Sequence, residues 1–274
     1  MLGARDLHPV SAAVGGWLAL PSQEELGKLK QELIAAKVTA DNTCEIFFDL
    51  GYPDFKTEGN YFSLAHTKVF PVLEGSFCMT NRCRDRHEYK EFIEEHHEKH
   101  SSANFVVKEG KRYFTGALAR INNNKDNLSD DAKKMLSQSA ITFPSKNPYH
   151  NNIAQAIEMV HCIDEAIRIC DRKIKNEKFK RPEPKAGTGI AAIEVPRGTL
   201  WHEYELDGAG KILNANIITP TSQNLLNMQE DIRQIVPMLL DKKKEDVVLE
   251  IEKLIRSYDP CFSCSAHFLE VKWV

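Results

Sequence analysis

The sequence predicts an α+β fold in which helices dominate. Three observations carry that expectation. An apolar stripe of helical period runs through 151–175, two further helix-period segments lie at 225–240 and 244–257, and an apolar, strand-like region at 190–218 is broken by Asp207-Gly208-Ala209-Gly210. With 274 residues the chain is long enough to bury a sizeable core. Hydrophobic residues at 42% and charged residues at 27% sit near the averages of globular proteins, which excludes a disordered or fibrous chain. Lys and Arg number 36 against 39 Asp and Glu, a net charge of −3, so no global basic field points to nucleic acid. No apolar run is long enough for a membrane span, and no basic segment followed by an apolar core opens the sequence, so a cytoplasmic setting is expected. Seven cysteines are an odd number, and reduced thiols are expected rather than a disulfide framework.

Taken in order, the chain starts with a turn-rich stretch from Gly3 through Gly15-Gly16. Ser22-Gln23-Glu24-Glu25 reads as a capping box, with Leu26, Leu29 and Leu33 as a helical stripe behind it. Short strands and loops are expected over 41–83, a polar helix over 84–100, a small hairpin over 105–115 around Glu109-Gly110-Lys111, and a loop at Asn122 to Asn127. In 151–175, Ile153, Ile157, Val160, Ile167, Cys170 and Ile174 share one face, and Lys and Arg crowd the end where the helix dipole favours them. Cys170 reads as core filling. Lys180 to Gly189 is a Pro- and Gly-rich loop, strands flank the 207–210 turn, and the last helix turns Val247, Val248, Ile251, Leu254 and Ile255 inward. No internal repeat or inter-domain linker is visible.

Three constellations carry chemistry. In Asp259-Pro260-Cys261-Phe262-Ser263-Cys264-Ser265-Ala266-His267, two thiols three positions apart can turn toward one centre behind a stiffening Pro. Thiolates select soft or borderline metals such as nickel, zinc and low-valent iron. On spacing alone the pair also suits half of a zinc site, a redox pair, or two thiols with no special role. In Glu194-Val195-Pro196-Arg197-Gly198, a Pro and a Gly fix a turn from which the guanidinium of Arg197 projects, suited to an anion or polarised ligand; a plain surface Arg is the alternative. In Thr219-Pro220-Thr221-Ser222-Gln223-Asn224, hydroxyls and amides can donate to an anion or simply cap the next helix. Cys78 and Cys83, spaced Cys-x4-Cys, read as ordinary partly buried thiols. His87, His96, His97 and His100 read as a solvated helix face.

Together and in this order, the three segments resemble the carboxy-terminal part of nickel–iron hydrogenase large subunits. The Asp-Pro-Cys-x-x-Cys-x-x-His ending is that family's hallmark. Arg5-Asp6-Leu7-His8-Pro9 with Gly15-Gly16, and Gly116-Ala117-Leu118-Ala119-Arg120-Ile121-Asn122, are similar to further family segments, the latter especially in cytoplasmic groups working with nicotinamide, deazaflavin or heterodisulfide partners. The resemblance implies a nickel–iron centre whose iron carries carbon monoxide and cyanide. Cys261 would be a terminal nickel ligand and Cys264 would bridge nickel to iron. Arg197 would overhang the centre, and Asp259 would support Arg197 and the first thiolate. Thr221 and the backbone near Pro196 and Arg197 would hydrogen-bond the cyanides. His267 would mark the cut of a maturation protease and bind a nearby magnesium.

That chemistry is coherent: heterolytic cleavage of hydrogen needs a Lewis acid with a base beside it, and a thiolate or guanidine in a dry pocket can be that base. The family's Arg-x-Cys-x-x-Cys and Arg-x-Glu-Gly segments are not found in these residues. The resemblance therefore implies that 1–274 is a carboxy-terminal portion of a hydrogenase large-subunit domain, with 268–274 as a removable tail. Its expected partners are a small iron–sulfur subunit, a possible separate amino-terminal half, the maturation protease and further electron-transfer subunits. Such a portion should leave an apolar face exposed. Two other readings stay open: a cofactorless structural or docking subunit of an electron-transfer complex, and a different metal or thiol role for the Cys-x-x-Cys pair.

Overall fold

Ser22 starts the longest helix by reciprocal capping: its hydroxyl accepts from the Glu25 amide at 3.2 Å, and the Glu25 carboxylate accepts from the Ser22 amide at 2.7 Å. The computed structural model describes residues 10–79, 82–174, 179–261 and 269–273. A ribbon of β1 (Ala12–Ala13) and β2 (Gly16–Trp17) precedes α1 (Gln23–Phe48). Then come β3 (Asn60–Tyr61), β4 (Ser63–Ala65), β5 (Ser76–Met79), β6 (Arg82–Arg84), β7 (Ile93–His97), β8 (Asn104–Lys108) and β9 (Tyr113–Phe114). The second half holds α2 (Ala117–Asn124), α3 (Asp130–Gln138), α4 (Asn151–Cys170), β10 (Gly187–Val195), β11 (Gly198–Leu206), β12 (Ile212–Ile218), α5 (Pro220–Ile235) and α6 (Lys244–Ser257).

The fold is α+β, as the sequence predicts. β10, β11 and β12 form an antiparallel meander, β4, β5 and β6 a second small sheet, β7 and β8 a hairpin, and β3 pairs in parallel with β9. Two apolar clusters result. One is helical, centred on Leu118, Ile121, Ile153, Ile157, Val160, Ile251 and Leu254. The other lies between the sheets, around Leu64, Phe77, Phe92, Tyr113 and Trp201. β9 joins them: successive strand side chains face opposite ways, so Tyr113 enters the sheet core and Phe114 the helical one.

Several local expectations are corrected. The first helix runs on to Phe48 rather than giving way to strands at 41. Residues 84–100 form a short 3-10 turn at Arg86–Glu91 and the strand β7, not a polar helix. The hairpin is β7 with β8. Glu109-Gly110 makes a tighter turn, both residues having positive φ, which sends the chain on to β9. The Asn122–Asn127 run is the end of α2 and a 3-10 turn, because its amides tie the helix to neighbouring backbone. Asn122 exchanges bonds with Ser145, and Asn124 donates to the Leu64 and Arg120 carbonyls. α4 stops at Cys170, which is buried as expected, and α5 begins at Pro220, before the predicted start at 225.

Cys78 and Cys83 are joined in a disulfide, against the expectation of reduced thiols. They sit directly opposite each other on antiparallel β5 and β6, with Cα atoms 4.1 Å apart. His96 and His97 lie on a strand rather than a helix, and the solvated reading holds: both are exposed.

Candidate functional site

Three chain segments far apart in sequence meet where β10 ends, α5 starts and α6 stops. Pro196 and Arg197 form the tight connection from β10 to β11, closed by the Val195–Gly198 pair. Gly198 is required there: its φ is 137°, and a Cβ would lie 2.5 Å from Thr115 Cγ2. Thr219 caps α5 by accepting from the Ser222 amide, which leaves Thr221 in the first turn, 5% exposed. Asp259 follows the last turn of α6 with φ 48°, the left-handed conformation that Asp tolerates better than most residues, and Pro260 directs the chain away from the helix.

Arg197 Nε donates to the Asp259 carbonyl at 2.9 Å and pairs with Asp259 Oδ1 at 3.2 Å. Gln155 of α4 donates to Asp259 Oδ2 at 3.0 Å. Two residues on, the Cys261 amide donates to Thr221 Oγ1 at 3.2 Å. The predicted residues Pro196, Arg197, Thr221, Asp259 and Cys261 are thus one connected shell. Cys264 and His267 lie outside the described residues. Only Nε of Arg197 is engaged; its terminal nitrogens have no acceptor among the described residues. Nor has the Thr221 hydroxyl proton.

The sequence reading did not single out the support beneath this shell. Arg120 of α2, 4% exposed, grips Glu158 through Nε and Nη2 at 2.6 Å each and Glu194 through Nη1 at 2.9 Å. The same guanidinium donates to the carbonyls of Val195 and Pro196 at 2.9 and 3.0 Å, the two residues before Arg197. Burial opposes the Arg120 charge, but the Glu158 and Glu194 carboxylates outweigh it and hold its pKa above the ordinary value. Glu194 in turn accepts from the Leu64 amide and the Thr199 hydroxyl, both at 2.7 Å. Asn151 ties α2 to α6 by accepting from the Leu118 amide and donating to the Ser257 carbonyl. A cleft of about 420 Å³ opens beside Pro196, lined by Arg120, Gln155, Glu158 and the apolar side chains of Phe70 and Val72.

The donor chemistry suits one edge of a soft-metal centre that also carries small anionic ligands. Cys261 offers a half-buried thiol, with a guanidinium and a hydroxyl as donors in the same shell. No group of three His, Cys, Asp or Glu able to hold a metal exists among the described residues.

Comparison with known proteins gives the family and the fold. Residues 107–267 match the nickel-dependent hydrogenase family, and the chain belongs to it. It is 31% identical to the alpha chain of sulfhydrogenase 1 from Pyrococcus furiosus over 99% of its own length and 64% of that protein's. It is 32% identical to the beta chain of the NAD-reducing hydrogenase HoxS from Cupriavidus necator, over 68% of this chain and 41% of that one. The chain therefore spans less than two thirds of these relatives. Among solved structures, an NAD+-reducing [NiFe]-hydrogenase superposes with a TM-score of 0.82 at 21% identity, over 95% of this chain and 63% of the other. The Ni-Fe-Se hydrogenase of D. vulgaris Hildenborough superposes at 0.69 with 19% identity, over 96% and 65%. At these identities the structures show the fold.

Proposed function

We propose that this chain is the carboxy-terminal part of the catalytic subunit of a nickel–iron hydrogenase, in which hydrogen is cleaved heterolytically and reversibly and electrons pass to an iron–sulfur subunit. The connected shell Arg197–Asp259 and Thr221–Cys261 is the observation that carries the reading, because three motifs of the family converge in it. Cys261 and Cys264 would hold the nickel–iron group, and His267 would bind magnesium. When bound, the group supplies the Lewis acidity that heterolytic cleavage requires.

The chain's own residues do the rest. Thr221 and the backbone around Pro196 and Arg197 would hydrogen-bond the group's cyanide ligands. Asp259 clamps Nε of Arg197, so the terminal nitrogens are presented in a fixed direction. The proton would be held at Cys264 Sγ, with the terminal nitrogens of Arg197 as donors that help polarise hydrogen beside it. Arg120 fixes the turn by donating to its two carbonyls, and Phe70 and Val72 line the cleft beside it. The activity requires a second Cys-x-x-Cys pair, which these 274 residues do not contain. A cytoplasmic setting is part of this proposal. Separately, among the described residues no helix is long and apolar enough to cross a membrane. Cleavage after His267 by a maturation protease belongs to the same reading.

Exchange of D2 with solvent protons reads heterolytic cleavage without any electron acceptor. In the native complex, Arg197→Lys should lower the exchange rate by roughly 10²-fold while nickel content is kept, as for removal of one preorganised donor. A wild-type complex that contains nickel yet exchanges no D2 would refute the proposal.

A further inference from the structure

β6 and the Lys108–Arg112 turn enclose a second cavity, of about 370 Å³, which shares no lining residue with the cleft beside Pro196. Its wall carries Arg82, Arg84, Lys108, Lys111 and Arg112 against a single carboxylate, Glu109. Five cations and one acid give a lining charge of +4 in a chain whose net charge is −3. Glu109 is already committed. It pairs with Lys108 and with Arg84, each at 3.1 Å, and its hydrogen bond from Lys108, then that from Arg84, holds its pKa below the ordinary value. Arg112 is held from behind by the buried Asp231, its Nη1 3.1 Å from Oδ1. Arg82 and Lys111, both exposed, have no carboxylate partner among the described residues.

The site is built rather than incidental. Lys108 is only 9% exposed, and its ammonium lies 4.8 Å from the Phe62 ring centre and 5.6 Å from that of Phe92. Phe62 and Tyr113 line the cavity as buried apolar surface, so that Lys108 at least acts from a low-dielectric wall. The strand bearing Arg82 and Arg84 is stapled to the sheet core through Cys83 and Cys78, so the guanidinium groups stand on a fixed element. We propose that this cavity binds a small phosphate-bearing anion. Several cations around one concave space call for more than one negative charge, and guanidinium forks match phosphate oxygens two at a time. The volume lies near the lower end for small-molecule sites, enough for a pyrophosphate or a nucleoside monophosphate and too small for a folded partner. The inference is independent of the hydrogenase reading.

Calorimetric titration of the full chain with inorganic pyrophosphate and, separately, with AMP tests it. Either probe should bind saturably at one site per chain, and the tighter of the two tells whether phosphate groups alone or a nucleoside phosphate is preferred. Arg82→Glu with Lys111→Glu should weaken binding by about tenfold or more. Lys133→Glu with Lys134→Glu, the same charge change on exposed positions of α3, should leave it unchanged. Arg82→Gln with Lys111→Gln gives the same reading should the reversal disturb folding. Absence of saturable binding by both probes, or equal weakening by the two charge reversals, would overturn the proposal.

Discussion

Arg120 shows how much of the site depends on one buried charge. Its guanidinium satisfies two largely buried carboxylates and two carbonyls, so removing it leaves Glu158 and Glu194 without their cation. Breaking a buried pair from one side costs about 3–5 kcal/mol, far more than the pair's net worth. Arg120→Ala should therefore cost that much in denaturant unfolding, whereas Arg197→Ala, at a partly exposed ion pair, should cost at most about 1 kcal/mol. Equal effects would contradict the assignment of Arg120 as the positioning residue beneath Arg197. His161 provides a second residue-scale test. Burial lowers its pKa from the ordinary 6.5, and its Nδ1 accepts from the Ser129 amide, a bond only the neutral ring makes. The unfolded chain takes up the proton first, so stability falls as pH drops from about 6.5 through the lower folded value, and is unaffected above it. Melting temperatures of wild type and His161→Gln should diverge less at pH 5 than at pH 7.5; a constant gap would show that His161 does not titrate on unfolding.

At the scale of elements, the disulfide between β5 and β6 closes a short loop, its cysteines five residues apart. By chain entropy such a closure is worth roughly 2 kcal/mol. Reduction, or Cys83→Ser, should lower stability by that order, read by denaturant midpoint with and without reductant; identical midpoints would mean the bridge does not form in solution. This scale also shows what sequence can and cannot convey. α4, α6 and the 190–218 strands are legible because their apolar periodicity is local. β7 is not, since Ile93 to His97 become a strand only by pairing with β8, which lies outside the polar run itself. The asparagines of α2 look like a loop because their value lies in distant acceptors. In the site, Arg197, Thr221, Asp259 and Cys261 are legible from motifs. Arg120 lies in a segment similar to one of the family's, but its supporting role is not legible: its partners Glu158 and Glu194 lie 38 and 74 residues away, and only folding brings them together.

The whole molecule leaves apolar surface exposed in the way a partner would cover. Ile34, Val38 and Ile46 on α1 are 45, 63 and 63% exposed, and Val69, Val72 and Leu73 form another apolar stretch beside the cleft. Both accord with the iron–sulfur partner proposed above, and with a chain spanning 64% of its relative from Pyrococcus furiosus. In the proposed reading the shell around Arg197 and Cys261 is one edge of a metal centre, its thiolates expected from Cys261 and Cys264 and from a second pair elsewhere. Nickel quantification on the complex purified from its native source bears most directly on this. About one nickel per chain is expected for wild type, and a near-complete loss for Cys261→Ala with the complex still assembled, since a structural site that loses a thiolate ligand loses its metal. A wild-type complex without nickel, or a Cys261→Ala complex that retains it in full, would contradict the hydrogenase reading at its centre.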